Sequence, residues 1–162
     1  MKQSLTLSLL ICFLLSGCFF SPGKATDEVS FYYVRSAYQE DMTTLVASEY
    51  RDVSGHEDDL NYILALYLIG PAEEDLVSPF PANTELLSTK QTDKNITIKL
   101  SDTEKNMNEP QFALSCACLS MTCLDLTEAE SVTIISGTRS ITMTQDNLSL
   151  TDNPITSTEE IP

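Results

Sequence analysis

The chain has 162 residues, enough for one compact domain with short extensions, and its 42% apolar content is sufficient for a hydrophobic core. Charge is the outlier: nine Lys and Arg stand against 24 Asp and Glu, a formal net charge of −15. Phosphate backbones and anionic lipid headgroups repel such a chain, so nucleic acid is excluded as an expected partner and a well-solvated acidic surface is expected.

At the N-terminus, Lys2 gives a short basic start, and Leu5 to Leu15 is apolar except for Thr6 and Ser8. This run has the character of a secretory signal core and is too short to cross a bilayer of about 30 Å as a helix. It ends in Leu15-Ser16-Gly17-Cys18, which resembles the lipobox of bacterial lipoproteins. Residues 1–17 are therefore expected to be an export signal, with Cys18 as the lipid attachment site. The Cys18 thiol would accept the diacylglycerol, and Ser16 and Gly17 are small enough for the signal peptidase. Each buried methylene contributes about 0.8 kcal/mol, so two or three acyl chains would hold the protein durably at the extracytoplasmic face of the cell membrane. With Lys2 removed, the mature part would carry eight basic residues (nine less one) against 24 acidic ones.

Residues 18–28 read as a tether, and the folded domain is expected over 29–150. Val29 to Arg35, rich in aromatic and β-branched residues, predicts a first strand. Thr43 to Val53 predicts a second, alternating loosely through Leu45, Ala47, Tyr50 and Val53. The period then changes: Leu60, Ile63, Leu64, Tyr67 and Leu68 recur at helical spacing. Ser54 with Glu57 predicts a capping box for this helix, and Gly70-Pro71 its end. An acidic, proline-containing loop follows over residues 72–83. Thr84 to Lys90 and Asn95 to Leu100 predict a hairpin around Thr92-Asp93-Lys94. Asn108 and Gln111 predict the cap of a second helix running to Leu124, with Pro110 tolerated in its first turn. Ser131 to Ile135 and Ser140 to Thr144 predict a last hairpin turning at Gly137-Thr138. Residues 151–162 are acidic and proline-bearing, the composition of a disordered tail. The predicted class is α+β, in the order ββαββαββ, with two helices packed on one face of a small mixed or antiparallel sheet.

Cysteine usage narrows the chemistry. Beyond Cys12 and Cys18 the chain has Cys116, Cys118 and Cys123. On one helix Cys116 and Cys118 point to nearly opposite sides, and Cys116 and Cys123 lie about two turns, or 10 Å, apart, beyond disulfide reach. Their spacing also lacks the paired C-x2-C ligands of a zinc site, so small buried hydrophobes are expected. The second helix is apolar on more than one side. Phe112, Cys116, Leu119 and Cys123 form one stripe, and Leu114, Cys118 and Met121 lie outside it, available for an assembly contact or for cover by another segment.

The ordered set Ala65-Leu66-Tyr67-Leu68-Ile69-Gly70-Pro71, then Pro81-Ala82-Asn83-Thr84 leading into a strand, resembles the GerMN domain family. Downstream, Thr122-Cys123-Leu124, Ser131-Val132-Thr133-Ile134 and Gly137 are similar to the family's apolar helix, V-x-I strand and glycine turn. The resemblance covers roughly residues 55–145. It implies a small exported module, often lipid-anchored, linked to sporulation and spore germination and working by assembly with other proteins. The chain departs from the family pattern at Met121-Thr122-Cys123, where a valine and a Thr-Leu pair are usual. No family binding residue carries over.

Several residue types were weighed for catalysis. His56 is the sole histidine and falls near a helix start; neither a nucleophile elbow, a zincin motif nor a P-loop occurs. The carboxylates of Glu57-Asp58-Asp59 and Glu73-Glu74-Asp75 are consecutive and splay apart, and the D-x-D-x-D-G order of a calcium loop is missing. No catalytic, cofactor-binding or metal-binding residue is expected. The expected partners are the membrane, through acyl chains on Cys18, and a protein or a second copy at the cell envelope. The alternative, a solute- or wall-polymer-binding lipoprotein, would need an aromatic cleft, and Phe31-Tyr32-Tyr33 alternates faces, so at most two of the three can share one surface.

Overall fold

The computed structural model describes residues 27–36 and 45–148. The expected export signal, Cys18 and the expected tail lie outside the described residues, as do residues 37–44 and all of the tether but Asp27 and Glu28.

The elements are β1 (Glu28–Arg35), β2 (Val46–Asp52), α1 (Leu60–Ile69), β3 (Leu76–Val77), β4 (Leu86–Gln91), β5 (Asn95–Leu100), α2 (Glu109–Leu126), β6 (Ser131–Ser136), β7 (Arg139–Thr144) and a last helical turn, α3 (Gln145–Leu148). The α+β class holds. The order differs from ββαββαββ by β3, inside the acidic loop, and by α3 at the end. The strands also divide into two sheets rather than one: β2-β1-β3, and β4-β5-β6-β7. Within the second sheet β4–β5 and β6–β7 are antiparallel, whereas β5 and β6 run parallel, joined through α2. The sheet is therefore mixed, as expected.

Two sheets explain the second helix. The helix α2 packs against β1 of one sheet and against β6 and β7 of the other. Phe112, Cys116, Leu119 and Cys123 are buried, and so is Cys118, one of the three residues outside the main stripe. Leu114 and Met121 are half-buried. A helix touching two sheets needs apolar residues on two sides, which a one-stripe expectation does not supply. Its N-terminus is as predicted: Asn108 accepts from the Gln111 amide at 3.0 Å, and Gln111 accepts from the Asn108 amide at 2.9 Å.

The shorter helix α1 begins later than Ser54. Asp59 is its cap, accepting from the Tyr62 amide at 3.1 Å. Ser54 and Glu57 serve a turn instead: Asp52 accepts from the Ser54 amide at 2.8 Å, and Glu57 accepts from the Gly55 amide at 2.7 Å. Gly55, at φ 81°, takes a left-handed conformation that a continuing right-handed helix does not use.

The core joins β1 to both helices. Phe31 and Tyr33 point inward, and Tyr33 stacks on Tyr67 with ring centroids 4.8 Å apart. The Tyr33 hydroxyl donates to the Tyr67 carbonyl at 2.9 Å, and the Tyr67 hydroxyl donates to the Tyr32 carbonyl at 3.0 Å. On the edge of β1 facing α2, the Tyr32 amide donates to Thr122 Oγ1 at 3.1 Å. Main-chain groups that the two-residue β3 is too short to pair are thus satisfied by side chains of the two helices. The opposite end of the molecule closes around the β6–β7 turn. Gly137 has φ 60°, in the left-handed region that favours glycine, and the Asp102 and Glu104 carboxylates lie close against it.

Candidate functional site

The face of β1 turned away from Phe31 and Tyr33 carries Ser30, Tyr32 and Val34, because side chains alternate along a strand. Register extends this face across the sheet: Val34 pairs with Val46 on one side and Val77 on the other, Tyr32 with Ser48, and Ser30 with Tyr50. Tyr50 is 63% exposed, and Val77 is exposed as well. Where β1 meets α2 and α3, Tyr32, Met121, Leu124, Asp125, Gln145 and Leu148 line a shallow depression of about 300 Å³. The outward side of the three-stranded sheet and the adjoining helix surface therefore form one mixed face, with Tyr32, Tyr50, Val34, Val46 and Val77 beside polar Ser48 and Asp125 and the Glu28–Asp52 pair at one end. Burial raises the Tyr32 phenol above its ordinary range, with further contributions from Asp125 and then Tyr50. It stays a neutral hydrogen-bond donor at physiological pH.

Behind this face a carboxylate organises the loop that carries β3. Glu49, only 5% exposed, accepts from the Ala72 amide at 2.9 Å, from the Glu73 amide at 3.0 Å and from Arg51 Nε at 2.5 Å. Arg51 in turn donates to the Gly70 carbonyl at 2.8 Å. Glu49 and Arg51 thus clamp the main chain on both sides of Gly70-Pro71. Val77, two residues into β3, is held in the outer face by this loop.

His56 stacks on Tyr62, centroids 3.8 Å apart, beside the turn that precedes α1. Burial pushes the thiols of Cys116, Cys118 and Cys123 up to about 12, so all three are protonated at neutral pH and poor nucleophiles. Among the described residues no group of three or more His, Cys, Asp or Glu is placed to hold a metal ion. Phe31 and Tyr33 are core residues, leaving Tyr32 as the outward aromatic of that trio. Nothing in the sequence reading pointed to Glu49 and Arg51. Their signal was parity: they share alternation with Ala47 and Val53, both of which pack inward.

The family model for Germane, described as sporulation and spore germination, matches residues 30–138. The chain belongs to the Germane family. Its structure is similar to the tandem GerMN domains of the sporulation protein GerM from Bacillus subtilis: TM-score 0.50 and 16% identity, covering 72% of this chain. The chain spans 42% of that tandem structure, so this comparison supports the fold alone. A candidate lipoprotein from Clostridium perfringens aligns at 19% identity with a TM-score of 0.47, over 74% of this chain and 88% of that one. No curated protein matches. The Germane match runs from within β1 to the Gly137 turn and so takes in the three-stranded sheet, β4, β5 and β6 of the second, α1, α2 and the Gly70-Pro71 loop that Glu49 clamps.

Proposed function

We propose that this Germane domain is a lipid-anchored, non-enzymatic contact module acting in sporulation or spore germination. Cys18 carries the acyl chains, residues 18–28 tether the domain at the extracytoplasmic face of the membrane, and a protein or a second copy docks on the outer face. The observation that carries this reading is that face itself: Tyr32, Tyr50, Val77 and Met121 present apolar and aromatic surface to solvent. Tyr is favoured at such contacts because it adds large buried area together with one hydroxyl that finds a partner. The lipobox of Leu15-Ser16-Gly17-Cys18 and the family's link to sporulation and spore germination support the setting.

The anchoring half is tested by Cys18→Ala. The variant is expected to accumulate as an unprocessed precursor and to lose all incorporation of an alkynyl fatty-acid label. Labelling that persists on the variant would overturn the assignment of Cys18.

A further inference from the structure

A second apolar surface lies on the opposite side of α1 from the stacked tyrosines. Leu68 and Ile69 at the end of that helix, Phe80 and Thr84 in the loop, and Glu85 and Leu86 at the start of β4 line an open groove of about 480 Å³. That volume lies within the range of about 300–1,000 Å³ typical of ligand sites. Ile69 is 80% exposed, the most exposed large apolar side chain among the described residues. Leu87, next to the groove in sequence, is also exposed.

We propose that this groove seats an extended polypeptide segment of a partner protein, one carrying aliphatic side chains flanked by lysine or arginine. The inference rests on the reading of the domain as a contact module and assigns a second docking surface to it. Charge complementarity selects the occupant. The groove lining contains one carboxylate, Glu85, and no cation. Glu73 and Glu74 are exposed in the loop that connects two of its walls, and the whole chain carries −15. A second copy would bring the same acidic charge to the contact, and an anionic membrane surface is repelled likewise. A cationic peptide is attracted, and its charges remain at the solvated rim where steering acts.

Geometry selects an inserted side chain over an added strand. β4 is an edge strand, but its pairing with β5 shifts between Leu86 and Ser88, and such a bulge interrupts the straight edge that strand addition needs. Thr84, in the groove lining, carries an unpartnered polar group. Its side chain is buried and its hydroxyl has no hydrogen-bond partner among the described residues.

The test uses the full-length chain in detergent micelles and a fluorescein-labelled hexapeptide, Gly-Lys-Leu-Ile-Lys-Gly, read by fluorescence anisotropy. Saturable binding is expected, weakening with added salt, and lost when both lysines are replaced by glutamate or when Leu-Ile is replaced by Ser-Ser. Ile69→Glu separates docking from general attraction. It adds negative charge, so nonspecific binding of a cationic peptide would tighten, whereas docking in the groove predicts at least tenfold weaker binding. Glu85→Lys is expected to weaken binding severalfold, and the charge-neutral Ser140→Ala, on β7 at the opposite edge of that sheet from β4, to leave it unchanged. Absence of saturable binding, or affinity unmoved or raised by Ile69→Glu, overturns the groove. If that happens while the outer-face contact is still detected, the groove assignment fails and the contact-module reading stands.

Discussion

Replacing Glu49 by alanine removes the acceptor for two loop amides and the counter-charge of Arg51 at once. Hydrogen bonds to a charged group contribute about 1.5–3 kcal/mol each, and removing one partner of a buried ion pair typically costs about 3–5 kcal/mol. Arg51 retains 21% side-chain exposure, so water can reach it and soften the loss. The expected destabilisation of Glu49→Ala is therefore about 3–4 kcal/mol, against a total stability of roughly 5–15 kcal/mol for a domain of ordinary size. With a urea m-value of about 1–3 kcal/mol per molar, the midpoint should fall by about 2 M with m unchanged. Glu49→Gln keeps one carbonyl acceptor but loses the ion pair and should cost about 2 kcal/mol. Arg51→Ala should cost less than Glu49→Ala, because the carboxylate keeps both amides. The clamp matters beyond stability, since it fixes the loop that presents Val77. A loss below about 1 kcal/mol for Glu49→Ala, or a larger effect from Arg51→Ala, would refute the view that the carboxylate holds the Gly70-Pro71 loop.

Other consequences concern the three thiols. In native buffer Cys116, Cys118 and Cys123 should resist alkylation by iodoacetamide and react together once urea unfolds the domain, as mass spectrometry would show. Fast labelling of any one under native conditions would contradict its burial. Stability should also fall at alkaline pH. In the folded state each thiol is held to about 12, whereas unfolded it ionises near the ordinary value of about 8.5. The unfolded chain therefore binds fewer protons above that pH, and the stabilisation present below it is lost as pH rises towards 12, by about 1.4 kcal/mol per pH unit per thiol. Urea midpoints measured under reducing conditions from pH 8 to pH 10 should decline, and Cys123→Ala should decline less steeply; a flat profile would count against the burial argument.

Local rules carried the sequence reading a long way. The capping box of Asn108 and Gln111, the turn at Thr92-Asp93-Lys94 and the glycine turn at Gly137 each depend on contacts within a few residues, and each is found where the pattern puts it. Long-range pairing was less legible. Nothing local tells β1 to pair with Leu76-Val77, about forty residues away, because a two-residue strand has no periodicity of its own. The division into two sheets follows from that pairing. It also explains why Cys118 is buried: the extra apolar side of α2 faces β1. The helix start failed for a different reason. Ser54 and Glu57 have the spacing of a cap, but Asp59 offers a competing acceptor nearer the apolar run, and Gly55 turns the chain between them. In β2 the loose alternation counted Tyr50 with Ala47, whereas register places Tyr50 outward and puts Glu49 and Arg51 on the inner side. Charged residues on a core-facing strand look like surface until the main chain they bind, here Ala72 and Glu73, is known.

The domain is expected to work by contact through the outer side of its three-stranded sheet. The direct measurement is site-specific photocross-linking in cells of the source organism, with p-benzoylphenylalanine placed at Tyr50 and, as a control, at exposed Lys99 on the other sheet. A discrete adduct is expected from Tyr50, absent from Lys99 and lost when Met121→Lys is added, with the urea midpoint of that variant little changed. No adduct from Tyr50, or the same adduct from both positions, would contradict it.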